Sequence, residues 1–203
     1  MPDGKIAERM QAERSPEAAP LVHRRLFTAD EYHRLGEAGI LREDDRVELV
    51  DGDIVEMTPI GARHAACVDR LNVVLQRCLG DSAIVRVQGP VRLNQISEPQ
   101  PDITVLKPRR DFYAGTHPCG DDILLAIEVA DTSLKFDREV KGSLYARSAI
   151  AEFWLVDVVH ESVEVFRQPG VDRYLFSRIS QRRERLPIAA LPDISLSVDD
   201  ILG

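Results

Sequence analysis

Gln100-Pro101-Asp102-Ile103-Thr104-Val105-Leu106 and Asp122-Ile123-Leu124-Leu125-Ala126-Ile127-Glu128-Val129-Ala130 decide how this chain is built. Each is a short apolar run of strand length, rich in Ile, Val and Leu. Pro101 lacks a ladder donor and fits only as the first residue of its strand. Asp102 opens the first run and Glu128 nearly closes the second. Paired antiparallel, the two runs bring their acidic ends together. Two carboxylates at close quarters repel unless a cation or a proton lies between them. Oxygen ligands, with positions left for water and phosphate, suit a hard divalent cation. A helix beyond the second strand carries Asp137 and Lys141 one turn apart on one face. Together these residues read as parts of a metal-dependent phosphodiesterase.

Upstream, Thr28-Ala29-Asp30-Glu31 is a capping box, with Phe27 outside it as a staple. Its helix is expected to run to about Glu37 and stop at Gly39. The stretch from Arg46 to Met57 alternates as a hairpin does and turns at Asp51-Gly52. Val47, Leu49, Ile54 and Met57 are placed on its core side and Glu48 on the other, where a strand acid is ordinarily solvated. From Arg63 to Leu79 the period is helical, and Cys67, Leu71, Val74, Leu75, Cys78 and Leu79 share a stripe. Cys67 and Cys78 therefore read as small core residues. His64 stands at the start of this helix, where a lone histidine is ordinarily structural or solvated. Strands are expected at Ala83–Val87 and Val91–Leu93, ahead of the one at Ile103–Leu106. The connection Lys107–Asp122 is long. Its Arg109, Arg110, Phe112 and Tyr113 suit a strand-binding surface and a packed loop equally.

Downstream, Asp131-Thr132-Ser133 turns the chain, and a helix is expected over Arg138–Arg147 with Asp137 as N-cap and Leu144 and Tyr145 inward. Glu152–Asp157, Ser162–Arg167 and Arg173–Ile179 read as an antiparallel meander, with a turn at Gln168-Pro169-Gly170. Leu186–Leu202 closes the chain as short strand and turn. Arg182, Arg183 and Arg185 read as a solvated basic edge.

The 203 residues show no internal repeat. They divide into a polar tail, 1–22, expected to be disordered or extended, and one domain over 23–203. No apolar stretch approaches the roughly 20 residues that span a bilayer. The N-terminus lacks an apolar signal core, and the three cysteines (Cys67, Cys78, Cys119) form no CxxC pair. A cytoplasmic protein without a disulfide framework or a cysteine-built zinc site is expected. The formal charge of −8 disfavours avid sequence-independent binding to nucleic acid. It still allows a basic cleft on an acidic body.

The order of these residues carries a resemblance. Glu48-Leu49-Val50-Asp51-Gly52 is followed by an early-helix His64. Pro101-Asp102 precedes a strand ending Glu128-Val129. Ser133, Asp137, Lys141 and Tyr145 then lead into Glu152-Phe153-Trp154-Leu155-Val156-Asp157. Over about residues 25–202 the chain resembles the Uma-type restriction endonuclease family of the PD-(D/E)XK nuclease superfamily. The resemblance implies a restriction-endonuclease-like α/β (α+β) fold: a mixed central sheet flanked by helices, with an antiparallel hairpin and a meander. It implies Mg²⁺ or Mn²⁺ held by Asp102, Glu128, the Val129 carbonyl and Glu48. Lys141 and His64 are implied to act beside the metal, on DNA, in a protein that pairs as a homodimer. The superfamily pattern puts a lysine two residues after the second acid. Ala130 stands there, and the resemblance implies that Lys141 from the following helix takes the role. Two other readings stand beside this one: a non-catalytic interaction or regulatory protein on a nuclease fold, and a hydrolase of small phosphodiesters.

Overall fold

The computed structural model describes residues 24–42 and 44–203, so the tail expected over 1–22 lies outside the described residues. In chain order the elements are α1 (Ala29–Glu37), β1 (Val47–Val50), β2 (Asp53–Glu56), α2 (Ala62–Leu79), β3 (Ile84–Val87), β4 (Ile103–Leu106) and β5 (Ile123–Ala130). There follow α3 (Leu134–Phe136), a π-helical turn (Asp137–Lys141), α4 (Gly142–Arg147), β6 (Glu152–Asp157), β7 (Ser162–Pro169), β8 (Tyr174–Gln181), β9 (Arg185–Ile188), β10 (Leu191–Ser197) and α5 (Val198–Leu202).

The central sheet has the order β3-β4-β5-β6-β7-β8. All its pairings are antiparallel except β5 with β6, so the sheet is mixed, as expected. A parallel pair needs a long crossover, and α3, the π turn and α4 supply it. β6, β7 and β8 are the expected meander. β4 and β5 are almost wholly buried, which explains their unbroken apolar sequence. Side chains alternate across β5. Leu125, Ile127 and Val129 pack with Leu71 and Leu75 of α2 and Ile201 of α5. Ala126 and Ala130 face Leu144 and Tyr145 of α4. Glu128 stands between those two alanines, so it shares the α4 face.

The first hairpin turns at Asp51 and Gly52, both in the left-handed region (φ 50° and 82°), as a two-residue turn of right-handed twist requires. Arg147 of α4 grips both carboxylate oxygens of Asp51, at 2.7 and 2.8 Å, and so ties the hairpin to the crossover helix. The capping box of α1 forms as expected: Thr28 accepts from the Glu31 amide, and Glu31 accepts from the Thr28 amide. Among the described residues, no helix is long and apolar enough to cross a membrane.

Four expectations are corrected. Val91–Leu93 is not a strand: Val91 and Leu93 donate to the carbonyls of Pro99 and Ser97 and close a loop instead. Cys78 is exposed, because the buried stripe of α2 runs through Cys67, Val68, Leu71, Leu75 and Leu79 and leaves it outside. The crossover helix starts at Leu134 rather than Arg138, so Asp137 is no N-cap and lies inside the π turn. Glu48 is buried rather than solvated, for the reason given next.

Candidate active site

The antiparallel register Ile103↔Ile127 places Asp102 and Glu128 opposite one another, one step beyond the last paired residues. Both line a cleft of about 460 Å³ together with Glu48, His64, Val129, Asp137 and Lys141. Every candidate residue from the sequence thus reaches one cavity. Its walls come from β1, the start of α2, the ends of β4 and β5, and the π turn.

Within the cleft the groups fall into two clusters. Around Glu128, Lys141 Nζ donates to Oε1 at 3.1 Å and the Tyr145 hydroxyl donates to the same oxygen at 2.5 Å. Lys141 also lies 3.0 Å from Glu48 Oε1, while Glu48 Oε2 accepts the Gln100 amide at 3.0 Å. This is why Glu48 is buried: the hairpin lays it over the crossover helix, against a buried ammonium. Asp137 and Lys141, one turn apart, open and close the π turn, and both are buried. No donor among the described residues meets Glu128 Oε2.

Around Asp102, Oδ2 accepts the Val129 amide at 2.9 Å and lies 3.0 Å from His64 Nε2; Gln88 Nε2 donates to Oδ1 at 3.3 Å. His64 Nδ1 is buried and has no partner among the described residues.

Electrostatics separates the two acids. Burial raises the pKa of Asp102, but the hydrogen bonds from His64, Val129 and Gln88 outweigh it and leave the group below the ordinary carboxylate range. For Glu128 burial wins. Its pKa stands well above the usual value despite Lys141, with Asp137, Asp102 and Glu48 adding repulsion. Burial also pushes Asp137 up to about 6, against Lys141 and the Ser133 hydroxyl. At Lys141 burial works against the charge, yet Glu128, Glu48 and Asp137 more than offset it and raise the pKa.

The donor chemistry fits a divalent cation. Six carboxyl groups line the cleft against Lys141, Arg46 and His64, and a buried acid whose pKa is raised marks missing positive charge. Glu128 Oε2 and Asp102 Oδ1 are the least committed oxygens, and Mg²⁺ commonly takes only one or two carboxylates with several waters. The three acids Glu48, Asp102 and Glu128 do not gather as a ready trio. Among the described residues, the group of three His, Cys, Asp or Glu ligand atoms within 4.8 Å of one another is His33, Glu98 and His117, elsewhere.

Sequence reasoning missed three contributors. Tyr145 reads as core from its period, and it is fully buried, yet its hydroxyl is bound to Glu128. Gln88 and Gln100 gave no signal, because their roles depend on loop positions that no periodicity fixes.

A mixed sheet with an acid on each of two adjoining central strands, and a helix lysine beside them, defines the nuclease-like α+β class. Comparison with known proteins narrows this. The chain belongs to the Uma2 family, described as "Putative restriction endonuclease", whose model matches residues 29–199. A solved structure described as a "putative nuclease belonging to DUF820" from Anabaena variabilis shares the fold. It has a TM-score of 0.68 at 17% identity, with 87% of this chain and 97% of that one covered. No curated relative matches.

Proposed function

We propose that the chain, acting as one domain over residues 23–203, is a divalent-metal-dependent endonuclease that hydrolyses phosphodiester bonds of DNA. The observation that carries this reading is the asymmetry of the two central acids. One is held ionised by hydrogen bonds and the other is short of positive charge, and both stand on the wall of one open cleft. Asp102, Glu128 and the Val129 carbonyl are the proposed holders of Mg²⁺ or Mn²⁺. Glu48 is proposed to act through Lys141, since its oxygens are engaged with that ammonium and the Gln100 amide.

When bound, such an ion supplies Lewis acidity to the phosphoryl oxygens and an acidified water. The chain's own groups do the rest. Lys141, kept protonated, offers charge to the negative oxygens that develop in the transition state. Glu48 and Tyr145 fix the positions of Lys141 and Glu128. His64 serves by holding Asp102 through Nε2, while its Nδ1 is buried. The homodimer implied by the resemblance belongs to the same proposal, and light scattering on the full chain tests it.

Asp102→Asn is the direct test. It is expected to abolish Mg²⁺-dependent cleavage of plasmid DNA while the melting curve stays cooperative. Cleavage equal to wild type would remove the proposal. Absence of Mg²⁺ and Mn²⁺ binding by calorimetry would favour the non-catalytic reading.

A further inference from the structure

Three residues remote in sequence and outside the cleft converge on the far side of the first hairpin. His33 comes from α1, Glu98 from the loop before β4, and His117 from the long connection before β5. Glu98 is 2% exposed. Its Oε1 lies 2.8 Å from His33 Nε2 and 3.9 Å from His117 Nε2. The two imidazoles are stacked, with 6.0 Å between centroids and 22° between planes. The second oxygen, Glu98 Oε2, is buried and has no partner among the described residues.

The backbone builds this convergence independently of the side chains. Glu98 and Leu49 form a bridge that joins the loop to β1, with Glu98 N donating to Leu49 O at 2.8 Å. Ala29 N donates to Gln95 O at 2.8 Å and anchors the start of α1. Arg92 N donates to Pro118 O at 2.8 Å and holds the residue beside His117.

A buried carboxylate this short of partners is costly, and a cation on Oε1, between the two imidazoles, would offset its charge. The neighbours it does have are two half-exposed imidazoles, whose side chains are 43% and 38% accessible. We propose that His33, Glu98 and His117 bind a divalent transition-metal ion of zinc's class. Two imidazole nitrogens and one carboxylate oxygen suit Zn²⁺, Co²⁺ or Ni²⁺, whereas Mg²⁺ and Ca²⁺ prefer oxygen alone. Ligands about 2.0–2.2 Å from a tetrahedral ion stand roughly 3.3–3.6 Å apart. The contacts of 2.8 and 3.9 Å straddle that spacing, so small side-chain rotations complete the set. Bound there, the ion would clamp α1, the loop before β4 and the long connection to one another. None of the three residues lines the acidic cleft, so the site is separate from the proposed nuclease centre.

The test titrates the untagged full chain with Zn²⁺ by calorimetry, and with Co²⁺ by visible absorption. Expected is a Zn²⁺ site of equal affinity in wild type and in Asp102→Asn. The double variant His33→Ala/His117→Ala and the isosteric Glu98→Gln should each lose more affinity than the roughly 10–100-fold that a supporting hydrogen bond costs. Zn²⁺ should also protect His33 and His117 of the wild-type chain from acylation, a readout that needs no variant to fold. Undiminished Zn²⁺ affinity in the double variant overturns the site. So does loss of binding in Asp102→Asn alone, or a failure of Zn²⁺ to protect the two histidines.

Discussion

Two glutamates lie buried on neighbouring central strands, Glu128 on β5 and Glu152 on β6, and they are treated in opposite ways. Both oxygens of Glu152 are taken. Oε1 accepts from Trp154 Nε1 at 2.9 Å and from Arg167 Nε and Nη2 at 2.9 and 2.7 Å, and Oε2 accepts the Ala189 amide at 2.6 Å. Glu128 has two donors crowded on one oxygen and none on the other, beside three further acids. Burial is therefore no mark of function by itself. A fully satisfied buried carboxylate joins strands, whereas one left short of donors is a place where a cation or substrate can supply what the protein withholds.

The sharpest way to break this comparison is to neutralise each acid in turn. Glu128→Gln is expected to cut metal-dependent cleavage about a thousandfold. It should move stability by no more than about 1 kcal/mol, because burial disfavours the charge that is removed and Lys141 keeps Glu48. Glu152→Gln should do the reverse. Arg167 loses its anion, and unfolding should become easier by about 2 kcal/mol. That figure is discounted because Arg167 is partly exposed to solvent. Cleavage by the folded fraction should be unchanged. Urea unfolding and nicking assays on the same samples measure both. Equal behaviour of the two variants would dissolve the distinction.

Next in size is Lys141→Ala. The ammonium is proposed to serve the reaction and not the ion, so cleavage should slow about a hundredfold while Mg²⁺ affinity is kept or strengthened. Affinity lost together with rate would assign Lys141 to holding the acids. Cleavage left unchanged would make it a structural partner of Glu48 and Glu128.

A third effect follows from Asp137. A carboxyl whose pKa is raised on folding binds its proton more tightly in the native state, so stability falls as pH climbs from about 4 to about 6, then levels off. For this group the drop is about 3 kcal/mol. Asp137→Asn should flatten the slope between those limits, and unfolding measured at pH 4.5 and 7.5 reads it. A slope unaltered in the variant would mean that other acids carry it.

How much of this was legible beforehand depends on what each feature rests on. The strands bearing Asp102 and Glu128 rest on unbroken apolar runs, and the hairpin at Asp51-Gly52 and the meander from Glu152 onward on strand-length runs bounded by turn residues, so the sequence displays them. Glu48 does not: its alternation put it on the outer side of the hairpin, and only the docking of α4 by Arg147 turns that side into an interior. The π turn was equally hidden, since one extra residue in a helical turn leaves no compositional trace. It is nonetheless the local backbone of the segment that bears Asp137 and Lys141. Non-local packing therefore supplied the details that most affect the chemistry.

The smallest expected effect is also the most discriminating about Glu128. The Tyr145 hydroxyl donates to the same oxygen as Lys141 and is fully buried, its own pKa raised far above normal by burial and by Glu128. If that hydroxyl serves only to satisfy Glu128, Tyr145→Phe removes one hydrogen bond, costs about 1 kcal/mol of stability and slows cleavage about threefold. With a donor gone, Glu128 should lean further on an external cation. Mg²⁺ affinity should then hold steady or rise slightly even as the rate falls. A fall in Mg²⁺ affinity would show that Tyr145 aims the carboxylate at the ion. The contrast with Glu152 would then lie in orientation and not in unmet hydrogen bonding.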